Sequence, residues 1–147
     1  MPARVGRLKR ARRLAVYVVS SGLFLSGAIW LYYFYFVRVN DQFGFENPHP
    51  AQGWFLILHA VFALPAVWIY GFLWQIHVKP GWIAHTRRWS GGTQWSLVLL
   101  MILTGYALYY IGNDTVRSWV SLAHWVPAVL ALPLFFIHIR SPADEGP

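Results

Sequence analysis

The sequence predicts an all-α, polytopic membrane protein, a bundle of four transmembrane helices with both termini cytoplasmic. Three observations predict it. Apolar residues make up 57% of the 147 and charged residues only 12%, against about 25% charge in a soluble domain. Four apolar runs reach the roughly 20 residues that cross a bilayer. The twelve basic residues gather at the chain ends and in one loop, the pattern of membrane topology rather than of a nucleic-acid-binding face. Cysteine is absent. That excludes disulfides, thiolate metal sites, cysteine-held iron–sulfur clusters and haem attached through C-x-x-C-H.

The first segment, 1–13, holds Arg4, Arg7, Lys9, Arg10, Arg12 and Arg13 and no acid. It resembles the start of a signal peptide. The apolar run behind it, about 14–37, is too long for a signal core and lacks a small-residue cleavage site. It reads as a retained first span. Gly22 and Gly27 allow close helix approach, although their spacing is not GxxxG. Tyr32 to Phe36 form an aromatic interface belt. Residues 38–53 read as a polar, turn-rich loop broken by Pro48, Pro50 and Gly53.

The second span is 54–77, with Pro65 expected to kink it. A loop over 78–92 follows, then the third span, 93–111, and a short turn. The fourth span, 119–139, contains Pro127 and Pro133. Residues 14–140 form one four-helix domain, and the polar tail 141–147 is expected to be disordered. With the N-terminus inside, ten basic residues lie on the cytoplasmic side and only Arg38 and Arg117 outside. That bias orients spans two and four in the same direction, outside to inside.

Four of the six histidines fall in spans two and four, two in each. Imidazole in a membrane span is costly and faces a partner or a cavity. His59 and His77 are eighteen residues apart, five α-helical turns, and so share a face. His124 and His138 are fourteen apart and lie within about 40° of one face. His59 follows Trp54 by five residues and His124 follows Trp119 by five. Both therefore sit about 8 Å below the entry tryptophans. His77 and His138 lie near the cytoplasmic ends, with a mismatch of four residues, about 6 Å. Facing histidines between parallel spans are a natural axial pair for haem iron. Gly105, near the depth of the outer pair, and Gly71, nearer the cytoplasm, offer room for a porphyrin. Arg117 outside and Arg87, Arg88 or Arg140 inside offer charge for propionates.

Plainer readings stand beside these. The histidines can simply hydrogen-bond helices, the glycines can serve helix packing, and the arginines can set topology alone. His49 and His85 read as solvated, with His85 a substitute for His77. The spans carry no carboxylate to complete a zinc site, nor any acid for a transporter.

At His59, His77, His124 and His138 the chain resembles the integral-membrane b-type cytochromes of bacteria and archaea. These are the four-helix subunits of formate dehydrogenase, nickel–iron hydrogenase and thiosulfate reductase complexes. HTRRWSG before span three, LTGYALYY within it and SLAHW entering span four are also similar. The likeness covers about 50–140. It implies two b haems stacked across the membrane, exchanging electrons with a quinone and a partner redox subunit: a cytochrome, an iron–sulfur protein or a molybdoenzyme. It also implies a multi-pass place in the inner (plasma) membrane. No catalytic site is visible in the sequence itself, so the chain is expected to act as an electron-transfer subunit within a complex. Several such subunits take a ligand from the first helix, which here has no histidine. Two ligands on each of spans two and four is closer to the cytochrome b of quinol–cytochrome c oxidoreductases. The expected outer ligands are His59 and His124 and the inner ones His77 and His138, with irons about 21–27 Å apart along the axis. The alternatives are a single-haem cytochrome and a haem-free membrane anchor or assembly subunit.

Overall fold

The computed structural model describes residues 8–140. Arg4 and Arg7 of the basic segment and the tail 141–147 lie outside the described residues. Four helices are long and apolar enough to cross a membrane: Arg10–Phe36, Pro50–Ile83, Arg88–Tyr110 and Asp114–Arg140. All four predicted spans fall on them. The described residues divide into two compact units, 8–73 and 74–140.

The first unit is a helical hairpin. Helix α1, Arg10–Phe36, stops where Val37 turns extended and donates its N–H to the Tyr33 carbonyl. Two short antiparallel strands follow, β1 (Arg38–Asn40) and β2 (Glu46–Pro48), with Val39 opposite Asn47. The sequence reading had only a loop here. Asp41 organises the turn between them. Its carboxylate accepts from the amides of Phe45 at 2.9 Å and Phe43 at 2.8 Å, and from the Asn47 side chain at 3.3 Å. Gly44 supplies the left-handed residue the turn needs, at φ +84°.

Helix α2, Pro50–Leu73, opens with Pro50 at its first position, where a missing N–H costs nothing. His49 caps it: its Nδ1 accepts the Ala51 N–H at 3.1 Å, the bond a Ser or Asp cap would make. His49 also packs on Tyr33, which stacks on Phe55. His49 is therefore a half-buried structural residue, not a solvated one. The helix runs on through Pro65. Small residues let α1 approach α2. A side chain at Gly22 would collide with the Phe62 ring, and Gly22 and Ser26 form the small-xxx-small spacing of close membrane helices.

The second unit starts inside the long helix, with a π turn at Trp74–Val78. Helix α3, Lys79–Ile83, follows directly. The five-turn arithmetic that put His59 and His77 on one face assumes unbroken α geometry. The π turn, which contains His77, breaks that period. The loop to helix α4 (Arg88–Tyr110) carries two left-handed non-glycine residues, His85 at φ 54° and Arg87 at φ 51°. Arg88 locks it by donating Nε to the Trp82 carbonyl at 2.7 Å while its guanidinium lies over the Trp82 ring.

Three residues join α4 to helix α5, Asp114–Arg140. Asn113 caps α5, its side-chain oxygen accepting from the Val116 N–H at 3.0 Å. Asp114 in the first turn suits the positive end of the helix dipole. Proline at 127 and 133 does not end α5. Apolar side chains point outward along these helices: Leu64 is 78% and Trp68 71% exposed. Such coverage is what a lipid-facing surface requires. Trp68 stacks flat on Phe72 at that surface.

Candidate functional site

In the first unit His59 projects from α2 against a notch in α1. Ser26 forms the floor of the notch and is 1% exposed. Its hydroxyl donates to the Gly22 carbonyl at 2.7 Å. The Nδ1 of His59 lies 3.0 Å from the Leu23 carbonyl and 3.3 Å from Ser26 Oγ. A carbonyl can only accept, so Nδ1 carries the proton and the lone pair stays on Nε2. Gly27 makes the room. A Cβ there would stand 2.9 Å from His59 Cε1, so the ring rests against bare backbone.

The second unit repeats the arrangement twice. His124 of α5 brings Nδ1 to 3.1 Å from Thr104 Oγ1 on α4. The Thr104 hydroxyl in turn bonds the Leu100 carbonyl at 2.7 Å. A Cβ on Gly105, the next residue, would lie 3.0 Å from His124 Cε1. Near the far end of the same helix pair, His138 Nδ1 lies 3.0 Å from Ser90 Oγ. A Cβ on Gly91 would meet its Cε1 at 3.3 Å. His77, in the π turn, faces His138 with ring centroids 6.0 Å apart and ring planes at 88°. All four histidines are half-buried.

The structure thus brings together His77 and His138, the pair separated by a four-residue mismatch in the sequence argument. Gly105, read from the sequence as room for a porphyrin, stands against the His124 ring. Gly71 is exposed, with nothing within 4 Å of a would-be Cβ; the glycine against the inner His138 is Gly91. Arg87 sits half-buried at the start of α4, Arg88 is engaged by Trp82, and Arg117 is exposed on the first turns of α5. His85 is exposed in the loop. Sequence reading passed over Ser26, Ser90, Thr104 and Gly91. The available signal was a hydroxyl residue followed by glycine. It is a weak one: Ser21-Gly22 has the same form and meets Phe62 instead.

Among the described residues, no three His, Asp or Glu side chains converge as a metal-binding group. What the arrangement offers is imidazole in ones and twos among apolar helices, with His59, His124 and His138 engaged at Nδ1 and resting on glycine backbone. Comparisons with protein-family models, curated proteins and solved structures return no match.

Proposed function

We propose that the chain is a membrane-integral b-type cytochrome subunit that holds two haems through histidine pairs. It would carry electrons between a quinone pool and a partner redox protein. The observation that carries this reading is the spacing of His77 and His138. Metal–nitrogen bonds of about 2 Å and a ring radius of about 1.1 Å put two imidazole centroids about 6 Å apart across one shared atom. The two rings are 6.0 Å apart. The pairing of His59 with His124 rests on their matched positions behind Trp54 and Trp119.

The residues present fit the group. Neutral imidazoles with the lone pair on Nε2 are the required ligands. Gly27, Gly91 and Gly105 keep side chains away from the rings, and the surrounding helices are apolar. Haem held by these histidines would supply one-electron redox chemistry, with a potential set by its ligands and burial. The chain's own share is to fix the imidazoles, exclude water with apolar helices, and hold cationic side chains such as Arg87 for propionates. No catalytic group is needed beyond these.

A second reading has a specific observation behind it. Two imidazoles at 6.0 Å and 88° also make an edge-to-face ring pair, which would serve a haem-free anchor. The visible spectrum of purified, haem-supplied protein separates the two. The cytochrome reading expects a Soret band, a reduced α-band and two haems per chain, falling to one on His138→Ala. One haem in the wild type, unchanged by His138→Ala, reduces the site to the outer pair. No Soret band leaves the anchor.

A further inference from the structure

We infer that Ser26, Thr104 and Ser90 are positioning residues for the histidines. The Ser26 and Thr104 hydroxyls receive the Nδ1 proton of the ring facing them and so keep its lone pair on Nε2, while Ser90 stands against Nδ1 of His138. The inference rests on the proposed haem reading for its purpose, but the hydrogen-bond argument stands without it.

A hydroxyl has one proton to give. Thr104 commits its proton to the Leu100 carbonyl at 2.7 Å. Its 3.1 Å contact with His124 Nδ1 is then made by the ring N–H donating. Ser26 is committed in the same way, to Gly22 at 2.7 Å. His59 has a second lock in the Leu23 carbonyl. Ser90 is the weakest of the three, because its hydroxyl reaches the Arg87 carbonyl only at 3.5 Å. The three sites differ in what the hydroxyl side offers the ring: His59 faces the Leu23 carbonyl as well as Ser26, His124 faces the committed Thr104 hydroxyl, and His138 faces Ser90, the least committed of the three. In each case the next residue is the glycine against which Cε1 rests. One two-residue step of helix thus fixes both the tautomer and the seat of the ring. Fixing a ligand ring from its second nitrogen is the usual role of such partners, and their loss typically weakens metal binding about 10–100-fold.

The test uses full-length protein labelled with ¹⁵N-histidine in detergent, without and then with haem. Nitrogen shifts separate the Nδ1–H form from the Nε2–H form. The wild type is expected to show Nδ1–H at His124 and His59 before haem is added. Thr104→Val should leave His124 a mixture of forms and weaken haem retention about 10–100-fold, and Thr104→Ser should restore both. Thr104→Ala, which adds no bulk, repeats the test where the valine variant fails to fold. Ser26→Ala should leave His59 as Nδ1–H, because the Leu23 carbonyl remains. An unchanged His124 form and unchanged haem retention in Thr104→Val and Thr104→Ala overturn the inference. A wild type that shows Nδ1–H yet takes up no haem supports the anchors and overturns the haem reading instead.

Discussion

At the scale of single residues, the glycines against the histidines are graded by distance. A methyl group at Gly27 would stand 2.9 Å from His59, at Gly105 3.0 Å from His124, and at Gly91 3.3 Å from His138. The first two sit at or inside the limit of real contacts, so alanine must displace the ring. Overpacking of this kind costs about 1–3 kcal/mol. Gly27→Ala and Gly105→Ala should therefore lower thermal stability in detergent, with Gly91→Ala milder. Gly71→Ala is the control. Nothing surrounds it, so it should be neutral or gain up to about 1 kcal/mol of helix propensity. Equal effects at all four positions would mean the glycines serve only backbone flexibility. Gly105 stood out by its depth in the third span, but as room for a porphyrin rather than as the seat of the His124 ring. Gly27 was legible only as a packing residue, and Gly91 was hidden because its partner lies 47 residues on, His138. Contacts between residues that far apart leave no period in a sequence.

At the scale of elements, the long helices were legible because lipid demands a run of apolar residues and nothing else satisfies the backbone there. The pieces that escaped are those in which side chains, not periodicity, set the conformation. The strand pair at 38–48 forms around Asp41, whose carboxylate three donors satisfy. The π turn at Trp74–Val78 lies where the apolar run gives way to Gln75, His77 and Lys79, and no periodicity distinguishes it from the α-helix before it. Asp41 gives the turn a pH dependence. The Phe45 amide above all, then the Phe43 amide and the Asn47 side chain, hold its carboxyl below the ordinary 3.8. A depressed carboxylate stabilises the fold above its unfolded value and loses that contribution as pH falls through the folded one. The Phe43 and Phe45 amides should stay protected from exchange at pH 5 and lose protection only below about 3.8. Asp41→Asn should make that protection insensitive to acid. At the α4–α5 turn the cap is a single side chain, so Asn113→Ala should cost about 1 kcal/mol of stability. Asn113→Asp, which keeps the acceptor, should not.

At the scale of the whole molecule, the four helices fit a chain that crosses the membrane four times, and the basic residues argue for its direction. Ten cations fall on one side of that arrangement and two on the other, a bias strong enough to set orientation during insertion. The direction matters for the proposed function, because it decides which histidine pair lies nearer the cytoplasm. The absence of cysteine makes the test clean, since a single introduced thiol is the only reactive one. Gln42 and Ala84 suit it. Both are exposed, one in the turn after α1 and the other in the loop before α4. Intact cells treated with a membrane-impermeant thiol reagent should label Gln42→Cys. Ala84→Cys should label only after permeabilisation. The reverse pattern would place His77 and His138 on the outer side and invert the path of electrons through the chain. Labelling of both in intact cells would mean that the segment between them does not cross the membrane. The proposed pairing of His59 with His124 at one depth would then fall with it.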